Sequence, residues 1–219
     1  MPSTLTNRAG FRAVFGAVLA VVPLVIALGR GTADISEPAY AMFHIAESYS
    51  TGRGFPYVDV AGQPQVTSPL FVVWLAAMAW VGLPLPWIAL LSGAAAWSLA
   101  ALAVRDLGRR MGFPFGGALA ALLIACSPAS ATPNVLATHV PWVVCLAWWA
   151  IWATRTDTPR IQTALLCSLL ATEADAVTVG LAVFLLLWRW ERSGRKPWWT
   201  ALSLGVLLIA WGLVAHSGL

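Results

Sequence analysis

Charge is what this sequence has least of. Asp, Glu, Lys and Arg make up 10% of its 219 residues, against about 25% in an ordinary soluble domain. A chain so poor in charge, and 59% hydrophobic, cannot cover a water-facing surface and hide its apolar side chains inside. A bilayer has to act as solvent for much of it. Cysteine is also scarce. Cys126, Cys145 and Cys167 each lie inside an apolar run, with no CxxC pair and no zinc spacing, so they read as small buried hydrophobes. Internal repeats and low-complexity tracts are absent, which argues against a transporter built from repeated halves. The net charge of +4 is spread over short clusters between apolar runs. That is the pattern of loops flanking membrane spans and not of a nucleic-acid surface.

What is present is a series of apolar segments: 11–29, 69–82, 87–104, 115–128, 141–153, 161–172, 176–190 and 199–216. They predict an all-α, polytopic transmembrane helix bundle, one transmembrane domain over 1–219. Arg8 and Arg12 precede the first run, which reads as an uncleaved span and not as a removed signal. Only one connection is long and polar, 30–67.

Charge decides the topology. If every segment crossed from a cytoplasmic N-terminus, nearly all basic residues would lie outside, against the positive-inside rule. If 69–86, bounded by Ser68-Pro69 and Pro84-Leu85-Pro86, makes no net crossing, about seven crossings remain. Then, of the 13 Lys and Arg residues, only Arg30 and Arg53 stay outside. The carboxylates sort the other way: Asp34, Glu37, Glu47, Asp59, Glu173 and Asp175 fall at the outer face, and Asp106, Asp157 and Glu191 inside. This predicts a membrane protein with its N-terminus on the cytoplasmic side and the 30–67 loop outside.

Within that loop, 37–50 reads as a helix. Glu37 and Pro38 suit its first turn. Ala39, Met42, Phe43 and Ala46 form an apolar stripe, His44 and Glu47 lie on another face, and Gly52 and Gly54 stop it. Such an amphipathic helix fits the membrane interface. Tyr40, Tyr49, Phe55 and Tyr57 suit that depth. The Trp residues near segment ends are accounted for by aromatic belts.

The order Ala39-Tyr40, Ala46-Glu47-Ser48, Gly52-Arg53-Gly54 and Thr67-Ser68-Pro69-Leu70 resembles the first outer loop of GT-C glycosyltransferases, most closely bacterial members of the arabinofuranosyl- and mannosyltransferase type. Arg109-Arg110-Met111-Gly112 and the stretch from Thr172 to Asp175 are similar more loosely. The resemblance implies a GT-C-like bundle that takes a sugar from a polyprenyl-phosphate carrier and gives it to an acceptor at the outer face. Two departures stand out. Glu37 occupies the place of the family's catalytic Asp, and Pro38 replaces the next acidic residue. The chain is also shorter than such enzymes usually are.

The expected roles follow. Glu37, with Asp34 in reserve, would deprotonate an acceptor hydroxyl or hold a divalent metal ion if the chemistry uses one. Arg53, then His44, would neutralise the leaving lipid phosphate. Tyr40 and Ser68 of the motif complete the substrate contacts, and Glu173 and Asp175 approach from the other outer turn. The polyprenyl chain would lie beside Trp74, Trp80 and Trp87. The blander readings are that Glu37 stabilises a helix start, that Glu173 is simply solvated, and that His139 is a loop residue. The alternative function is a shortened, inactive GT-C-derived subunit packed into a larger membrane complex. Expected partners are membrane lipids, a polyprenyl-phosphate sugar or other membrane subunits, and no nucleic acid.

Overall fold

The computed structural model describes residues 3–53, 68–127, 132–156, 158–173, 176–193 and 204–206. The described residues form helices and no strand. In chain order these are α1 (Ser3–Arg30), α2 (Glu37–Ser50), α3 (Pro69–Trp80), α4 (Leu85–Arg110), α5 (Pro114–Ala125), α6 (Pro133–Leu136), α7 (Val140–Arg155), α8 (Pro159–Thr172) and α9 (Ala176–Ser193). Local chemistry sets the boundaries. Every helix from α2 to α8 carries proline in its first two positions, where a missing N–H costs nothing. The turns after α3 and α4 use Gly82 (φ +80°) and Gly112 (φ +85°), a left-handed conformation that other residues resist.

The helices alternate in direction about α4. Helix α1 runs antiparallel to it: Ser98 Oγ donates to the Ala20 carbonyl at 2.9 Å, and Ala27 packs with Leu90. Helix α5 is also antiparallel. Gly108 and Gly117 meet backbone to backbone, and Trp97 Nε1 donates to the Ile124 carbonyl at 2.7 Å. Helix α7 runs parallel to α4, with Cys145 against Ala96 and Ala100 and Trp152 against Asp106. Helices α8 and α9 then alternate again. Gln162 near the start of α8 meets Thr154 near the end of α7 and Leu185 of α9. At the other end, Thr178 Oγ1 of α9 donates to the Glu173 carbonyl.

This order gives the bundle two chemically distinct poles. Arg105, Arg109, Arg110, Arg155, Arg160 and Arg189 gather at the pole where α4, α7 and α9 end and α8 begins. Asp34, Glu37, Glu47 and Glu173 gather at the other. Helix α4, at 26 residues, separates the poles by about 39 Å. Helix α3 does not run the length of the bundle. It pairs with α2 over the acidic end of α4, where Ala39, Met42, Phe43, Ile45 and Ala46 bury against Phe71, Val72, Leu75, Ala76, Leu85, Ala89 and Ala137. The expected apolar stripe of α2 is therefore the buried one, with Ile45 added.

Helices α1 and α4 are long and apolar enough to cross a membrane; α3 and α5 are apolar but shorter. The periphery is apolar as well. Val14 and Val25 on α1, Phe115 and Leu123 on α5, and Phe184 and Leu187 on α9 are all more than half exposed.

Candidate functional site

The acidic pole carries two different polar surfaces. The first is the outer face of α2. Glu37, Tyr40, His44 and Glu47 are exposed there, spaced so that they share one side of the helix. The His44 and Glu47 side chains stand 3.9 Å apart in open solvent, where such a pair adds little. The Tyr40 ring meets Phe43 edge-on at 5.5 Å. Asp34 is exposed in the turn before the helix. Arg53 lies beyond its far end, held by its backbone N–H to the Ser48 carbonyl. Glu37 and Arg53 thus flank a 14-residue helix, on the order of 20 Å apart along its axis. The expected base and the expected phosphate-binding cation are not brought together.

The second surface is recessed, and the sequence underrated it. His139 lies, as expected, in the bend before α7, at its N-cap position without a side-chain capping bond, but is only 13% exposed; its Nε2 lies 3.5 Å from Glu173 Oε2. Glu173 is itself only 31% exposed, so it is more than a solvated turn residue. Glu173 follows α8 because the helix breaks there into extended backbone. The two are distant in sequence and meet because α7 and α8 are antiparallel neighbours. Only a topology, not a spacing, could have signalled the pair. Asp175 lies outside the described residues.

The same pole holds unused hydrogen-bonding capacity. Among the described residues, three buried side-chain atoms have no partner: Ser68 Oγ, His139 Nδ1 and Trp142 Nε1. All three border one apolar cluster. Ser68 precedes α3, whose Phe71 and Val72 belong to the cluster, and Trp142 packs on it with its ring 5.9 Å from that of Trp74. His139 is two residues from its member Ala137. Ser68 is fully buried, yet it makes no capping bond at the start of α3. An unsatisfied buried polar group costs roughly 1–3 kcal/mol, so three at one pole are a feature to be explained.

The chemistry of this surface is definable. With Glu173 facing Nε2, a neutral imidazole carries its proton there and leaves Nδ1 as a lone pair. That lone pair can accept a proton from a hydroxyl, while Ser68 Oγ and Trp142 Nε1 can donate. The expected hydrophobic flank is partly formed. Trp74 stacks on Phe71 at 6.0 Å, whereas Trp80 at the far end of α3 is 80% exposed and Trp87 begins the next helix. No three His, Cys, Asp or Glu side chains gather closely enough to hold a metal among the described residues, so no step is assigned to one.

Comparison with family models, with characterised proteins and with solved structures finds no match for this chain.

Proposed function

We propose that this chain is a GT-C-like transferase of about seven crossings, embedded in a bacterial cytoplasmic membrane with the acidic pole outside. It moves a sugar from a polyprenyl-phosphate donor to an acceptor at that pole. The observation that carries the reading is the His139–Glu173 pair, whose Nδ1 is buried and without a partner. It supplies a base in a recess bordered by Trp74 and Trp142. The alternating helices and the separation of arginines from carboxylates support the orientation. Apolar outer faces on α1, α5 and α9 support immersion in lipid.

In this reading His139 Nδ1 takes the proton of the acceptor hydroxyl. The acceptor oxygen bonds to the anomeric carbon, and the lipid phosphate leaves with the electrons of the broken C–O bond. Glu173 orients the imidazole. Glu37, on the exposed face of α2, is the competing base that the loop resemblance suggests. Transfer measured in membranes from a polyprenyl-phosphate sugar separates them. His139→Gln and Glu173→Gln are expected to lower the rate by about 100-fold or more, with the protein still inserted and folded. Loss with Glu37→Gln alone would return the base to α2. Unchanged transfer in all three variants would remove these residues as the base, and no transfer by the wild-type chain would remove the enzyme reading.

A second reading is an inactive GT-C-derived subunit of a larger membrane complex. The separation of Glu37 from Arg53 favours it, as do the broad apolar faces of α5 and α9. Co-purification with other membrane proteins at fixed stoichiometry, without transfer by the chain alone, is its expected result.

A further inference from the structure

The basic pole holds an open surface groove that the proposed transfer does not use. It measures about 420 Å³ and is lined by Asp106, Arg109, Arg110 and Pro114. Two guanidinium groups and one carboxylate leave it net positive. The arginines differ in how they are held. Arg110 donates from Nε to Asp106 Oδ2 at 2.6 Å, and its guanidinium lies 5.2 Å from the Trp152 ring centre. Trp152 Nε1 donates to the same Asp106 oxygen at 2.8 Å. Asp106 and Trp152 thereby fix the Arg110 fork by its inner nitrogen and leave both terminal nitrogens for another anion. Arg109 is looser, with Nη1 4.0 Å from Asp106 Oδ1, and can swing toward a ligand.

The stretch from Met111 into the start of α5, beside this groove, is unusually apolar for an exposed segment. Met111, Phe113 and Phe115 are 48%, 69% and 81% exposed. In water that would be a liability. At a membrane surface these side chains enter the acyl region while the guanidinium groups stay at headgroup depth. A guanidinium fork matches phosphate oxygens in pairs, and a basic recess between helix ends on the arginine-rich face suits an anionic headgroup.

We propose that Arg109 and Arg110 form a binding site for the phosphate of an anionic phospholipid headgroup, with Met111, Phe113 and Phe115 seated in the adjoining acyl layer. The site rests on the membrane-spanning reading but not on sugar transfer, because it lies at the opposite pole.

The full chain, purified in zwitterionic micelles containing phosphatidylcholine, is titrated with phosphatidylglycerol while its melting temperature is followed by tryptophan fluorescence. Saturable stabilisation by phosphatidylglycerol is expected, with none from further phosphatidylcholine or from inorganic phosphate. Arg109→Gln, which leaves the Asp106–Arg110–Trp152 contacts in place, is expected to weaken the effect about tenfold without changing the melting temperature in the absence of phosphatidylglycerol. Arg110→Gln is expected to abolish the effect. Equal stabilisation of wild type and both variants would overturn the site. So would equal stabilisation by phosphatidylcholine. An arginine-dependent response to inorganic phosphate matching that to phosphatidylglycerol would overturn the lipid assignment. Failure of transfer at the acidic pole leaves each of these outcomes readable.

Discussion

The two poles of the bundle treat polar groups in opposite ways. At the basic pole the described polar groups interlock. Asp106 accepts from Arg110 and Trp152. Gln162, fully buried, donates to Thr154 at 2.8 Å and accepts from Arg189 Nη1 at 2.7 Å. At the acidic pole Ser68 Oγ, His139 Nδ1 and Trp142 Nε1 are buried with nothing to bond. Satisfied networks tie helices together, and an unmet one is a cost carried for some other end. The contrast teaches that satisfied and unsatisfied polar groups are concentrated at different ends of one α4 rod.

Substitutions can break or sharpen that contrast. The largest effect is expected from Gly93→Val. A Cβ there would run into the Leu136 carbonyl of α6, a backbone atom that cannot give way. A loss of about 3 kcal/mol, read from thermal unfolding in detergent, would show that the acidic pole is tightly packed despite its unpaired groups. Near-neutral behaviour would mean that those groups merely reflect slack. Gln162→Leu comes next. It removes the bonds from Arg189 and to Thr154, and about 2 kcal/mol of destabilisation is expected. A neutral result would deny the basic pole its structural role. The smallest effect is expected from Ser68→Ala. Removing a hydroxyl that bonds nothing should leave stability within about 0.5 kcal/mol of wild type or raise it, while transfer falls. Marked destabilisation would reveal a hidden partner and weaken the comparison.

Much of the scaffold was legible in the sequence because it follows from local rules. The Gly–Pro punctuation marks the helix ends, the 3.6-residue period of 37–50 marks the buried face of α2, and the charge asymmetry anticipates which helix ends cluster. The start and the shortness of α3 could be read from its flanking prolines. The site was less legible. His139 and Glu173 carry no motif and meet only through the antiparallel docking of α7 and α8. Gln162 gives no signal either, since one amide in an apolar run has the same letter whether it faces solvent or joins two helices. Glu37, His44 and Arg53 drew notice through their order along the loop, but order in a loop does not measure distance across a helix.

The seat of Leu136 on Gly93 has a mechanical consequence. The α6–α7 stretch is held to α4 at both ends, through Leu136 of α6 on Gly93 at one and the Asp106–Trp152 bond of α7 at the other. It behaves like a beam on two supports, so His139 and Trp142 keep their height relative to α4. Helices α2 and α3 rest on the end of that frame, with their apolar faces packed on Leu85, Ala89 and Ala137.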